Sequence, residues 1–287
     1  MKSNLKQWLG TSTQLLAAVS DSPALECQVL VSHVLKRSRA WIIAHPEYVL
    51  HPEQEILLNN YVHQRTDGVA LPYILGHWEF YGMDFIVSPA VLIPRPETEM
   101  IIDETLDWFL EKKSMLLTVP FQVADIGTGS GCIAITLAKY LPDIKILAID
   151  RSFQALKIAR INAIRHHVQH QVHFTAGDLF TSLSDKFSII CANLPYIPSA
   201  NLDTLAVSRS EPRLALDGGP DGLTLIRSML CAVPPYFPSP GLILIETQFD
   251  QAETVADLAK RIFSQAEVRV LTDLAGNPRL VRIERRE

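Results

Sequence analysis

Apolar side chains return at helical intervals through the early part of the chain. Leu25, Val29, Val31 and Leu35 form one such set, and Trp41 and Ile42 follow. Asp21-Ser22-Pro23 supplies a start signal, because serine accepts from unpaired helical N–H groups and proline suits a first turn. A further stretch opens at His51-Pro52-Glu53 and runs through Ile56, Leu57 and Tyr61 to Asp67-Gly68. Residues 1 to about 75 are therefore predicted to be a small bundle of short helices. The texture changes at Gly76. Trp78, Phe80, Phe85 and Val87 flank Tyr81-Gly82-Met83-Asp84, which is the pattern of a β-hairpin. Ile93-Pro94-Arg95-Pro96 is too rich in proline for either regular element, and 97–110 reads as a helix.

Beyond that point, short apolar runs alternate with helical segments. Strands are predicted at 121–126, 144–149, 172–175, 187–192, 241–246, 267–271 and 280–283, and helices at 131–140, 153–166, 222–233 and 251–263. This alternation implies a seven-stranded, mostly parallel, Rossmann-like sheet covered on both faces. A length of 287 residues accommodates the resulting plan. Residues 1–75 form a helical bundle, 76–95 a β-hairpin linker and 96–287 the α/β domain, with no internal repeat or low-complexity tract.

Composition narrows the partners. With 48% hydrophobic and 20% charged residues the chain can build a packed core. A net charge of -5 weighs against a general nucleic-acid binder, which carries a basic excess. Cys27, Cys132, Cys191 and Cys231 form no C-x-x-C pair, so neither a zinc site nor a disulfide framework is expected, and the spacing suits a reducing cytosol. Met1-Lys2-Ser3-Asn4 reaches no apolar stretch before Gly10, so no signal peptide is expected, and no apolar run is long enough to span a membrane. The expected location is cytoplasmic and the expected state monomeric. His166, His167 and His170 sit at a predicted helix end, where the dipole stabilises cations; no cysteine or carboxylate shares their spacing, so no metal is expected. Lys36, Arg37 and Arg39 read as a solvated helix end.

Asp125-Ile126-Gly127-Thr128-Gly129-Ser130-Gly131 follows a strand and opens a helix. Glycines there let the backbone turn sharply and approach a ligand that a Cβ would block. The spacing is G-x-G-x-G, and no Lys-Ser or Lys-Thr follows, so it is not a phosphate-cradling P-loop. The next strand ends at Asp150, which can accept both ribose hydroxyls of an adenosine or, alternatively, cap the following helix. After the third strand, Gly177-Asp178-Leu179 could read an adenine, though Asp178 alone could be an ordinary loop acid. Three such strand tips in order make one cleft at the carboxyl edge of the sheet. S-adenosylmethionine fits this pattern. NAD is the competing ligand, but its pyrophosphate calls for the longer glycine fingerprint.

The fourth strand runs into Asn193-Leu194-Pro195-Tyr196-Ile197-Pro198. An amide or exocyclic amine is a poor nucleophile, because its lone pair is delocalised into the adjacent π system. Two acceptors aimed at its N–H bonds would favour the pyramidal nitrogen as positive charge develops. The Asn193 side-chain oxygen and the Leu194 carbonyl are candidates for those acceptors, with Tyr196 packing on a planar target or facing a cationic methyl. The alternative is an Asn-x-Pro turn with Tyr196 as a packing aromatic. Arg95 and Glu97 either line the pocket or serve as a surface ion pair and a helix cap.

With these residues in view, almost the whole chain resembles the release-factor glutamine N5-methyltransferases of the HemK/PrmC type. The likeness rests on Leu71-Pro72-Tyr73-Ile74-Leu75-Gly76, on Pro89 through Glu99, on Ala124 through Gly131, on Glu211 through Gly219 and on Asp221-Gly222-Leu223. The family's catalytic loop is N-P-P-Y; here Leu194 replaces the first proline, which leaves a backbone carbonyl in place but removes some stiffness. N-L-P-Y also resembles the loop of ribosomal RNA adenine dimethyltransferases, which lack the helical bundle and the Ile93-Pro94-Arg95-Pro96 segment.

The resemblance implies methylation of the side-chain amide of the glutamine in the Gly-Gly-Gln motif of peptide-chain release factors. It implies that Gly127, Thr128, Gly129, Ser130, Gly131, Asp150 and Asn193 contact S-adenosylmethionine, that Leu179 flanks the adenine, and that the bundle grips the release factor. Asn193, Leu194, Pro195 and Tyr196 would then hold the substrate amide. The rivals are an N6-adenine methyltransferase acting on nucleic acid, a glutamine methyltransferase acting on a ribosomal protein, and a cofactor-binding protein without transfer.

Overall fold

The computed structural model describes residues 4–116, 122–180 and 185–286. The chain divides into two compact units, Met1–His77 and Trp78–Glu287. The first unit holds α1 (Leu5–Leu16), α2 (Pro23–Leu35), α3 (Arg39–Ala44), α4 (Pro52–Thr66) and α5 (Leu71–Leu75). Asn4 caps α1 reciprocally. Its side chain accepts from the Gln7 N–H at 3.0 Å, and the Gln7 side chain accepts from the Asn4 N–H at 3.4 Å. The prolines after Ser22 and His51 open α2 and α4, as the sequence predicts.

The buried stripe of this unit differs from the predicted one. Cys27, Leu30 and Val31 of α2 and Leu58 and Val62 of α4 form its core, whereas Leu25 is 41% and Ile56 69% exposed. Leu25 and Ile56 each stand two residues before a core position, which places them about 200° round the helix from it. Arg65 of α4 pairs with Glu26 of α2 at 2.8 Å. It also donates to the Val19 carbonyl at 2.9 Å, so the pair is anchored to backbone.

The second unit opens inside a hairpin of β1 (His77–Phe80) and β2 (Met83–Ile86), of which only His77 is assigned to the first unit. Tyr81 and Gly82 at its turn have φ of 52° and 70°, the double left-handed geometry that suits a two-residue hairpin loop. A single 3-10 turn, Pro96–Thr98, precedes α6 (Glu99–Leu116), so the helix starts later and runs further than the periodicity predicts. Then follow β3 (Gln122–Ile126), α7 (Cys132–Tyr140), β4 (Lys145–Asp150), α8 (Phe153–Arg165), β5 (Val172–Ala176), β6 (Ile189–Ala192), α9 (Thr224–Ala232), β7 (Gly241–Glu246), α10 (Ala252–Ile262), β8 (Glu267–Thr272) and β9 (Pro278–Arg285). The predicted first residue of β3, Phe121, lies outside the described residues. Between β6 and α9, where no element is predicted, three 3-10 turns appear at Ser199–Thr204, Ala206–Arg209 and Arg213–Ala215.

Seven strands form one sheet in the order β5-β4-β3-β6-β7-β9-β8. The pairings from β5 through to β7 are parallel, and β9 runs antiparallel to both β7 and β8. The order reverses between β3 and β6, and a cleft at the carboxyl ends of the strands belongs at such a reversal. Every residue of β6 and β7 is buried, which explains their unbroken apolar runs. Period-two alternation splits them between two cores. Leu242 and Leu244 join Trp108 of α6 and Leu137 of α7, while Ile243 and Ile245 join Ile226 of α9 and Val255 of α10. No helix among the described residues is long and apolar enough to cross a membrane.

One buried polar side chain braces the glycine-rich turn after β3. Asn162 of α8 donates to the carbonyls of Ile86 and Ser130 at 3.0 and 2.9 Å and accepts from the Ile86 N–H at 2.7 Å. It thus ties the hairpin to the glycine-rich turn. Asn162→Leu would remove the partner of one buried and two part-buried backbone groups and is expected to destabilise the protein by about 1–3 kcal/mol. Urea unfolding with an unchanged m-value checks this, and a variant within experimental error of wild type would show that the tie contributes little.

Candidate active site

The turn after β3 is built from three glycines with φ of 77°, 56° and 82°, all left-handed, and they serve different purposes. A Cβ on Gly131 would lie 2.7 Å from Ile135 Cδ1 and 3.1 Å from Ala159 Cβ, so this glycine lets α8 approach the start of α7. A Cβ on Gly127 would stand 3.0 Å from Leu194 Cδ2 and 3.6 Å from the Asn193 carbonyl oxygen, so this one admits the loop after β6. At Gly129 the nearest atom would be the Gly127 carbonyl oxygen, 3.9 Å away, which leaves a side open to a ligand. The turn is clamped to β4, since Gly127 and Thr128 N–H both donate to the Ile149 carbonyl, at 2.8 and 2.9 Å.

Asp125 is fully buried under the turn. One of its oxygens accepts from the Thr128 hydroxyl at 2.6 Å and from the Ala134 N–H at 3.2 Å, and the other has no partner among the described residues. Burial pushes its carboxyl up to about 7.

Asp150 ends β4. Its carboxylate accepts from the Gly129 N–H at 2.9 Å and from the Ser152 N–H at 2.8 Å. Burial raises its pKa. The cap of α8 is Ser152, which accepts from the Ala155 N–H at 3.2 Å, so the capping role considered for Asp150 belongs to its neighbour. A carboxylate offers about four lone-pair positions, and Asp150 uses two, so acceptors remain for a pair of hydroxyls. Leu179, after β5, holds φ at 52°, a left-handed conformation that leucine rarely adopts.

These tips enclose a cavity of about 300 Å³. Gly127, Thr128, Gly129, Ser130, Asp150, Asp178, Leu179, Asn193, Leu194 and Pro195 line it, together with Arg95 and Thr98 on the segment before α6 and Pro212 and Leu214 on the segment after β6. Gly131 and Tyr196 do not line it. Gly131 packs between helices, and Tyr196 packs against the core on the α9 and α10 side, where burial and the Glu246 carboxylate raise its hydroxyl's pKa. Arg95 lines the cavity and also pairs with Glu211. The predicted surface acid is thus a buried one: Glu211 is 6% exposed and also accepts from the Ile93 N–H at 3.0 Å. Glu97 lies in the 3-10 turn rather than capping α6.

The loop Asn193–Ile197 is held by backbone. Ile197 N–H donates to the Leu216 carbonyl at 3.0 Å, and Gly218 N–H donates back to the Ile197 carbonyl at 2.9 Å. A Cβ on Gly218 would lie 2.7 Å from the Pro195 carbonyl oxygen, and a Cβ on Gly222 would run into that of Tyr196. Gln251 donates to the same Tyr196 carbonyl at 2.9 Å. The loop is thus braced by a glycine cradle outside it, and Leu194, buried at 4% exposure, packs into the core. No described residue donates to the Leu194 carbonyl.

A chain of side chains crosses the base of the loop. Asn193 Nδ2 donates to Thr98 Oγ1 at 3.0 Å, Thr98 Oγ1 donates to Glu246 Oε2 at 2.6 Å, and the Tyr196 hydroxyl donates to Glu246 Oε1 at 3.3 Å. Glu246 is 3% exposed, and burial pushes its carboxyl up to about 7. Sequence inspection picked out neither Thr98 nor Glu246. A carboxylate closing an otherwise apolar strand is the available signal, but its meaning depends on β6 and β7 being neighbours with Ala192 opposite Ile245.

Comparison with known proteins places this arrangement. Residues 7–76 match the PrmC N-terminal domain family and residues 102–210 the methyltransferase small domain family. A release factor glutamine methyltransferase from Moorella thermoacetica is 38% identical over 286 residues, covering 99% of both chains. One from Coxiella burnetii is 37% identical over 279 residues, covering 97% of this chain and 98% of its own. Among solved structures, the hMettl16 catalytic domain in complex with MAT2A 3'UTR hairpin 1 shares the fold, with a TM-score of 0.53 at 12% identity over 83% of each chain. With relatives this similar along nearly their whole length, the chain belongs to the release factor glutamine methyltransferase family.

Proposed function

We propose that the protein transfers a methyl group from S-adenosylmethionine to the side-chain amide nitrogen of the glutamine in the Gly-Gly-Gln motif of peptide-chain release factors. The observation that carries this is the shared cavity. Asn193, Leu194 and Pro195 line the same space as the open glycine turn, Asp150 and Leu179. The cofactor fits these residues: Gly129 leaves its Cβ side open, and Asp150 has acceptors left for ribose hydroxyls. When bound there, S-adenosylmethionine supplies a methyl group on a sulfonium.

The remaining work falls to the chain. Asn193 Oδ1 and the Leu194 carbonyl each accept from one N–H of the target amide, and they favour the pyramidal nitrogen more than the planar one. Holding nitrogen and methyl in line removes most of the entropic barrier. The lining is predominantly apolar, so few protein groups there would hold water beside the reacting atoms. The product amide, carrying one proton too many, releases it without a dedicated base. Residues 1–75 grip the release factor, residues 76–95 link them to the transferase domain at 96–287, and the enzyme acts as a cytoplasmic monomer.

The test is competitive. Release factor, ribosomal proteins and ribosomal RNA are incubated together with the enzyme and methyl-labelled cofactor, and the label is partitioned. Label confined to release factor supports the assignment. Label in RNA moves the function to adenine methylation, and label in a ribosomal protein moves it to that substrate.

A further inference from the structure

We propose that Thr98 and Glu246 are positioning residues that set the orientation of the Asn193 side-chain amide, so that its oxygen and not its nitrogen is presented to the target nitrogen. This deepens the proposed function and rests on it. The inference comes from counting protons along the chain of contacts. A threonine hydroxyl has one proton to give. With Glu246 ionised, the Thr98 proton is committed to Oε2 at 2.6 Å, because a carboxylate anion can only accept. Thr98 Oγ1 can then only accept from Asn193. The amide must turn Nδ2 toward it, at 3.0 Å, and Oδ1 away.

Nothing else among the described residues holds the Asn193 side chain this way round. The two ends of an asparagine amide are nearly equal in size, so packing alone would not choose between them. A flipped amide would direct N–H groups at the N–H groups of the target and lose one acceptor. Glu246 is itself held by the Tyr196 hydroxyl on its other oxygen. Glu97 nearby and Arg279 of β9 are the charged groups that act on it, with opposite sign.

The placement has a topological origin. Asn193 and Glu246 follow directly on Ala192 and Ile245, which are register partners on the adjacent parallel strands β6 and β7. Thr98 comes from the 3-10 turn before α6 and bridges the two tips. Three segments distant in sequence thus define one dipole.

The test compares Thr98→Val, Thr98→Ala and Thr98→Ser with wild type, with glutamine methylation of purified release factor as the readout. Thr98→Val keeps the shape and loses the hydroxyl. Its kcat is expected to fall about 30-fold, less than the roughly 10²–10³-fold for losing a preorganised group outright, because the asparagine amide is then misoriented only part of the time. KM for release factor and the affinity for S-adenosylhomocysteine should stay near wild type. Thr98→Ser restores the hydroxyl without the methyl group and is expected to recover most of the rate. If Thr98→Val does not fold, the serine and alanine variants decide, since they differ only in the hydroxyl. Serine and alanine variants of equal rate, or a Thr98→Val enzyme with wild-type kcat, would overturn the inference. Wild-type enzyme that leaves glutamine unmodified would instead overturn the proposed function, so the two failures are distinguishable.

Discussion

Asn193→Ala is expected to lower kcat by about 10²–10³-fold, the usual effect of removing one preorganised group that bonds the reacting centre in the transition state. Asn193 lines the cavity, and its side-chain nitrogen is bonded to Thr98, which leaves the oxygen as the acceptor for the target amide in the proposed mechanism. Truncation removes that acceptor and leaves the Thr98 oxygen without its donor, while the Thr98 hydroxyl still donates to Glu246. Affinity for S-adenosylhomocysteine should fall only in part, because the turn at Gly127–Gly131 and Asp150 have their own supports. Single-turnover kinetics with saturating release factor separates the two effects. An Asn193→Ala enzyme with wild-type turnover would remove the residue from the mechanism.

Gly222→Ala is expected to reduce kcat by about 100-fold although the residue touches neither substrate, because misplacing a reactive group by about 1 Å can have that effect. Gly222 has φ of 76°, and a Cβ there would collide with the Tyr196 carbonyl and lie 2.5 Å from Gln251 Nε2. The backbone carbonyl of Tyr196 cannot yield without moving the Asn193–Ile197 loop, and Gln251 yields only by giving up its bond to that carbonyl at 2.9 Å. Gly276→Ala is the control. Its φ of 83° gives the same kind of backbone strain, about 1–2 kcal/mol, yet no atom lies within 4 Å of its Cβ position. It should lose stability and keep kcat. Equal losses of rate in both variants would mean that strain alone, and not displacement of the loop, explains the result.

Much of this architecture is legible in the chain, for reasons that differ by element. The buried strands β6 and β7 read plainly because they are covered on both faces and so carry unbroken apolar runs. The hairpin reads plainly because Tyr81-Gly82 interrupts an aromatic alternation. The bundle is harder. Leu25 and Ile56 fit a helical period but face solvent, and only packing decides which of two apolar stripes is buried. The 3-10 turns at Ser199–Thr204 and Arg213–Ala215 have too few residues to show any period.

The cofactor tips were visible because each follows a strand with its own motif. Of the predicted residues, Gly131 and Tyr196 stand apart from the cavity, since a motif does not say which of its members faces the ligand and which faces the core. Thr98, Glu211, Glu246 and Gln251 escaped because their partners lie far off in sequence. Thr98 and Glu246 are 148 residues apart, and Ile93 and Glu211 are 118 apart. Strand order creates those contacts, and one chain read alone does not reveal strand order.

The most direct test of the central claim is peptide mapping by mass spectrometry of purified release factor after incubation with this enzyme and S-adenosylmethionine. One added methyl group, on the glutamine of the Gly-Gly-Gln peptide and absent from a release factor lacking that glutamine, is the predicted result. Methyl groups on any other residue, or a release factor left unmodified while the cofactor is consumed on another substrate, would contradict it.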